Sequence, residues 1–120
     1  MASALSFDEL LELAALDPRP IELEIKSLGR SVLVRNPSSG DVDKWRYYAA
    51  RNQDTGKPMS AKLVQLMLCD QFGERVIPQT DEGLAELAKL DPKVIDEIAM
   101  KCMPFIKEPT EEEVEKEKNS

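Results

Sequence analysis

This 120-residue chain has no histidine, and the first candidates for reactive chemistry are its 23 Asp and Glu side chains and two cysteines. Without imidazole, Ser-His-Asp and Cys-His catalysis and His-ligated zinc are excluded. Paired carboxylates are the next possibility. Glycosidase-type chemistry needs two carboxyls facing a sugar-sized cleft, one of them with a raised pKa. The carboxylates of this chain fall mainly in first turns of predicted helices, on the polar face of a predicted strand, or in residues 108–120. Capping and solvation account for them there. Cys69 and Cys102 lie on apolar faces of predicted helices, as small core residues do. Two thiols without histidine complete no tetrahedral metal site. Asp54-Thr55-Gly56 does not complete a calcium loop, and the five glycines form no phosphate-cradling motif. No catalytic residue, cofactor or metal is expected.

Net charge is −7, but unevenly placed. Residues 1–29 carry −4, residues 30–62 carry +4, residues 63–107 carry −3 and residues 108–120 carry −4. A basic block between acidic ones permits association of plus with minus between copies. The acidic total argues against general nucleic-acid or anionic-membrane binding. Lys44-Trp45-Arg46-Tyr47-Tyr48 mixes cations and aromatics as single-strand binders do. Trp45, however, shares a helical face with Val42 and Ala49, which marks it as core. No run of 18 apolar residues exists, and MASALSFDEL lacks the basic start and apolar stretch of an export signal.

The elements that position these residues follow from periodicity. Residues 6–16 predict an amphipathic helix with a Ser6/Glu9 capping box and Phe7, Leu10, Leu11 and Ala14 on one face. Asp17-Pro18-Arg19-Pro20 ends it in a stiff linker. Residues 21–27 alternate strictly, with Ile21, Leu23 and Ile25 on one side, and 31–35 return as a second strand through Gly29. A helix from about 41 to 52 carries Trp45, and a loop follows it. Ser60 is the expected cap of an almost wholly apolar helix over 60–70, the centre of the domain. Thr80 caps a helix over 81–89, and Asp91-Pro92 opens a last helix that Pro104 ends or kinks. The tail 108–120 has one aliphatic residue, Val114, and reads as disordered.

The fold class is therefore α+β, mostly helical, with one hairpin packed against four to five helices. Three segments are expected: helix and linker (1–20), a single domain (21–107) and the acidic tail (108–120). The expected core is Ile21, Leu23, Ile25, Val32, Val34, Trp45, Leu63, Leu66, Met67, Leu84, Leu87, Ile95 and Ile98. The apolar stripe of helix 6–16 must either fold back on its own domain or dock on a neighbouring copy. Docking would be heterologous and build rings or spirals, with Phe7, Leu10, Leu11 and Ala14 as the contact.

The order of these elements resembles the tail assembly chaperones of long-tailed (siphovirus-type) bacteriophages and prophages. The likeness is carried by Val-Leu-Val-Arg-Asn-Pro-Ser-Ser-Gly-Asp-Val-Asp-Lys-Trp over 32–45, where a hairpin strand ends in Arg35 before a small-residue loop at 37–40 and Trp45. It continues in the apolar helix from Ala61 into the Asp70-x-x-Gly73 turn, and in Leu84, Leu87 and Leu90 before Asp91-Pro92, Ile95 and Ile98. It spans roughly residues 5–106. It implies a non-enzymatic factor in the bacterial host cytoplasm, absent from the finished virion. Such a factor assembles as rings or spirals, coats the tape measure protein and hands it to tail tube subunits. Members of that family also occur in a longer, frameshifted form. The main alternative is a small phage regulatory or nucleic-acid-associated protein acting through the basic 30–62 segment, and another is an enzyme subunit completed by a partner.

Overall fold

The computed structural model of the chain describes residues 4–106. The acidic tail, with Lys107 and the first three residues, lies outside them. Alternating apolar residues build β1 (Ile21–Ile25), which pairs antiparallel with β2 (Arg30–Val34) in the register Ile21↔Val34, Leu23↔Val32, Ile25↔Arg30. The turn takes residues 26–29, with Gly29 at a φ of 65°. Five helices are found among the described residues: α1 (Phe7–Leu13), α2 (Ser39–Asn52), α3 (Ser60–Met67), α4 (Asp81–Ala88) and α5 (Pro92–Ile106). The architecture is α+β, a two-stranded hairpin covered by helices. A hairpin is not stable alone, and the helices supply the missing apolar face.

Several boundaries differ from those the sequence predicts, each for a physical reason. The first helix stops at Leu13, well short of residue 16. It buries no residue, so a further turn would gain little from packing. Ala14 becomes its C-cap. α2 begins earlier than residue 41, because Ser38 is its cap and forms a capping box with Asp41. Ser60 is the first residue of α3, not its cap, and Met59 at the cap position gives no side-chain bond. α3 also ends at Met67, not at 70. Leu68 turns extended, with ψ 128°, and the main chain completes the free edge of β2. Arg35 N–H donates to the Met67 carbonyl and Cys69 N–H to the Leu33 carbonyl, both at 2.9 Å. This third, very short strand-like piece protects an edge that would otherwise pair with another chain. Pro104 lies inside α5, which runs on to Ile106. Its lost hydrogen bond falls on the carbonyl of Met100, a residue on the exposed side.

The core is centred on α3. Leu63, Val64, Leu66 and Met67 are buried between Ile25 and Val34 of the hairpin and Leu87, Ile95, Ile98, Cys102 and Ile106 of α4 and α5. Ile21, Leu23, Val32, Trp45 and Leu84 are half-buried and pack against this cluster from its rim. Thr80 caps α4 through a 3.1 Å bond from Gly83 N–H. A Cβ at Gly83 would stand 2.2 Å from the Pro78 carbonyl oxygen, so only glycine lets α4 come this close.

Glu97 of α5 locks the hairpin turn to the helical layer. Its carboxylate accepts from Ser27 Oγ (2.6 Å), Ser27 N–H (2.9 Å) and Lys26 N–H (2.6 Å), and pairs with Lys101 Nζ at 3.3 Å. The Ser27 and Lys26 donors hold its pKa down at about 2 from an ordinary 4.5. Its contribution to stability is therefore whole above about 4.5, declines as pH falls, and is gone below about 2. Glu97→Gln should be the less stable protein at pH 7, with the gap closing as pH falls through that window. Urea midpoints of both proteins across the acid range check this, and a gap independent of pH would refute it.

Candidate functional site

The clearest unpartnered surface belongs to α1. Ser6 Oγ accepts from Glu9 N–H at 3.2 Å and Ser6 N–H donates to Glu9 Oε1 at 3.3 Å, so the helix has a complete capping box. Its start is thus well made, yet no described residue buries any part of it. Phe7 is 72% exposed, Leu11 57% and Leu13 73%, and Leu5, Leu10 and Leu16 are exposed as well. Ala14 is exposed at the helix end. The stripe has not folded back on its own domain. Large apolar side chains left open together in one short segment are the kind of surface on which protein partners dock.

The linker behind the helix is fixed to the body. Asp17 binds Arg19 through its side chain, at 2.6 to 3.1 Å, and through the Arg19 N–H at 2.9 Å. The Asp17 carbonyl accepts from Asn36 Nδ2 at 3.0 Å. Pro18 passes so near Gly73, which sits at a φ of 80°, that a Cβ there would stand 3.3 Å from the Pro18 carbonyl. The helix is therefore held out from an anchored base.

Asp41 forms a second cluster of functional-looking groups, and it is structural. It is 6% exposed. Ser38 N–H donates to its Oδ2 at 3.1 Å, Arg75 Nη2 bonds Oδ1, and Arg35 Nε faces Oδ2 at 3.5 Å. Burial alone would raise the Asp41 pKa. The Ser38 bond and the charges of Arg75 and Arg35 outweigh it and hold the carboxyl below its ordinary value. Arg75 Nε also donates to the Leu66 carbonyl at 3.0 Å. This is a buried carboxylate kept charged by two cations, the opposite of a general acid. It ties β2, α2 and the turn before α4 together.

The basic and aromatic run on α2 divides between two faces. Trp45 packs at the core rim. Lys44, Tyr47, Tyr48 and Arg51 face a different way and meet Lys57 and Lys62 around a cavity of about 490 Å³. Arg51 lies over the Tyr47 ring at 5.2 Å and Lys62 over the Tyr48 ring at 5.3 Å. Sequence reasoning places these cations in one basic block but does not bring Lys57 and Lys62 beside α2. The spacing of Lys44, Tyr47, Tyr48 and Arg51, at three and four residues, is the signal that one helical face carries them.

The cysteines are free and buried. Burial pushes the Cys102 thiol up to about 12, which leaves it without thiolate and unreactive. Among the described residues no group of three or more His, Cys, Asp or Glu is placed to hold a metal ion. No described helix is long and apolar enough to cross a membrane. No protein family, no curated protein and no solved structure matches this chain, so its function has to be argued from the exposed α1 stripe and the surfaces beside it.

Proposed function

We propose that this chain is a tail assembly chaperone of a long-tailed bacteriophage or prophage. It self-associates through Phe7, Leu10, Leu11 and Ala14, binds the tape measure protein in the host cytoplasm, and promotes tail tube assembly without catalysis. The observation that carries the reading is the open apolar stripe of α1 on an acidic chain, supported by the sequence resemblance over roughly residues 5–106. A tape measure is long, helical and prone to aggregate. Masking it without locking it requires apolar surface on a carrier whose net charge keeps the complex dispersed.

The test is co-expression with the tape measure protein of a long-tailed phage. The expected result is a soluble complex containing several copies of this chain per tape measure, which tail tube protein then displaces. A tape measure equally insoluble with and without this chain would refute the reading.

A further inference from the structure

The cavity formed by Lys44, Tyr47, Tyr48, Arg51, Lys57 and Lys62 has four cations on its walls and no carboxylate. None of the four makes an ion pair among the described residues. Among the described residues Arg51 Nη1 donates to the Tyr47 hydroxyl at 2.8 Å, and Lys62 Nζ to Gln65 Oε1 at 3.3 Å. After burial, the main influence on Tyr48 and Lys62 is the charge of Asp81 on α4. Lys44 and Arg75 act on Lys62 in the opposite sense, so positive charge remains in excess there. Such a groove fits an anionic, extended ligand that also brings some apolar surface for the two tyrosine rings.

The chain carries one. Residues 108–120, EPTEEEVEKEKNS, hold six glutamates against two lysines, with Pro109 and Val114 as the apolar elements. The body ends in the right place. Met103 and Ile106 at the end of α5 line a pocket with Trp45, Ala49 and Gln53 on the neighbouring side of α2. From there the groove is on the far side of a helix about 10–12 Å across. Fourteen residues follow Ile106, and at about 3.3 Å each they reach some 45 Å. Tethering adds an effective concentration on the order of millimolar, enough to fill a site of weak intrinsic affinity.

We propose that the acidic segment 108–120 binds within its own chain to this basic, tyrosine-lined groove and competes there with other polyanions. The proposal is independent of the assembly reading and of α1. It gives the +4 block and the −4 segment a shared purpose.

Two full-length variants test it. In the first, Glu111, Glu112, Glu113 and Glu115 are changed to Gln; in the second, Arg51→Glu and Lys57→Glu reverse two exposed groove charges. In two-dimensional amide spectra at low salt, the glutamine variant should have the resonances of Tyr47, Tyr48 and Lys62 moved away from the wild type. Raised salt should bring the wild type to the positions of the glutamine variant, and should leave those of the groove variant where they are. A synthetic peptide of residues 108–120 should restore the shifts in the glutamine variant and not in the groove variant. Groove resonances that are the same in the wild type and the glutamine variant would overturn the proposal. So would shifts that vanish on dilution, since the bound segment would then belong to a neighbouring copy. Oligothymidylate should bind the glutamine variant at least about tenfold tighter than the wild type. Equal or tighter binding to the wild type would assign the groove to single-stranded nucleic acid instead.

Discussion

Asp41→Ala should destabilise the fold by roughly 3–5 kcal/mol, the cost of leaving buried charge without its partner. The argument rests on what remains after the carboxylate is gone. The Arg35 and Arg75 side chains are 27% and 19% exposed and would face each other with no anion between them. Arg75 would keep its bond to the Leu66 carbonyl. Arg35 Nε, already without a hydrogen bond, would have nothing. Ser38 N–H would also lose its acceptor at the start of α2, part of a capping box worth about 1 kcal/mol. Asp41→Asn keeps the shape and one acceptor but not the charge, and should fall between the two proteins. Changing Asp41 to Leu with Arg35 and Arg75 to Met should recover most of the loss, because the desolvation of three charges disappears together. Urea unfolding of the four proteins at pH 7 measures this. A loss below about 1 kcal/mol for Asp41→Ala would place the cluster among solvated surface pairs.

The same cluster shows how far the sequence is readable. Local signals are strong: Ser6 with Glu9, Thr80 with Gly83 and Asp91 before Pro92 mark their helix starts, and Ile21, Leu23 and Ile25 mark the buried face of the first strand. Each depends on residues a few positions apart. Trp45 is legible as a core residue from the face it shares with Val42 and Ala49, but the role of Arg35 is visible in the sequence only as a point of likeness. Arg35 and the loop are joined by Asp41, which sits in the first turn of α2, completes the capping box of Ser38 and meets Arg75, 34 positions away. No periodicity carries that distance. Gln65 is similar. It is 1% exposed in the centre of an apolar helix, and its Nε2 donates to the Pro78 and Thr80 carbonyls at 2.8 and 2.9 Å. A glutamine among leucines gives no sign of which loop it will hold. The end of α3 at Met67 was hidden for the same reason. Leu68 and Cys69 suit an apolar helix by composition, but pairing with the edge of β2, Leu68 opposite Val34 and Cys69 N–H on the Leu33 carbonyl, decides their conformation.

The candidate site was legible in composition and incompletely in placement. Phe7, Leu10, Leu11 and Ala14 form one stripe in the sequence, but periodicity does not say whether a stripe folds inward or stays open. The structure leaves it open. Replacing Phe7, Leu10 and Leu11 together with aspartate should therefore leave the domain folded, because none of the three contributes to the core. Burying three such side chains against a neighbour offers roughly 4–8 kcal/mol before the costs of association. Its loss should weaken self-association by at least about a hundredfold. Light scattering coupled to size-exclusion chromatography should show wild-type assemblies and a monomeric variant, with unchanged urea midpoints when both are monomeric. Deletion of residues 1–16 should do the same while sparing the Asp17–Asn36 anchor. Wild-type chains that remain monomeric at high concentration, or variants that assemble as well as the wild type, would refute α1 as the joint. The salt response separates this joint from charge pairing between the +4 and −4 blocks. An apolar contact holds or tightens as salt rises, whereas a plus-to-minus contact loosens. Assemblies that persist at high salt and vanish with the three aspartates would place the joint in the apolar stripe and leave the basic groove free for a separate task.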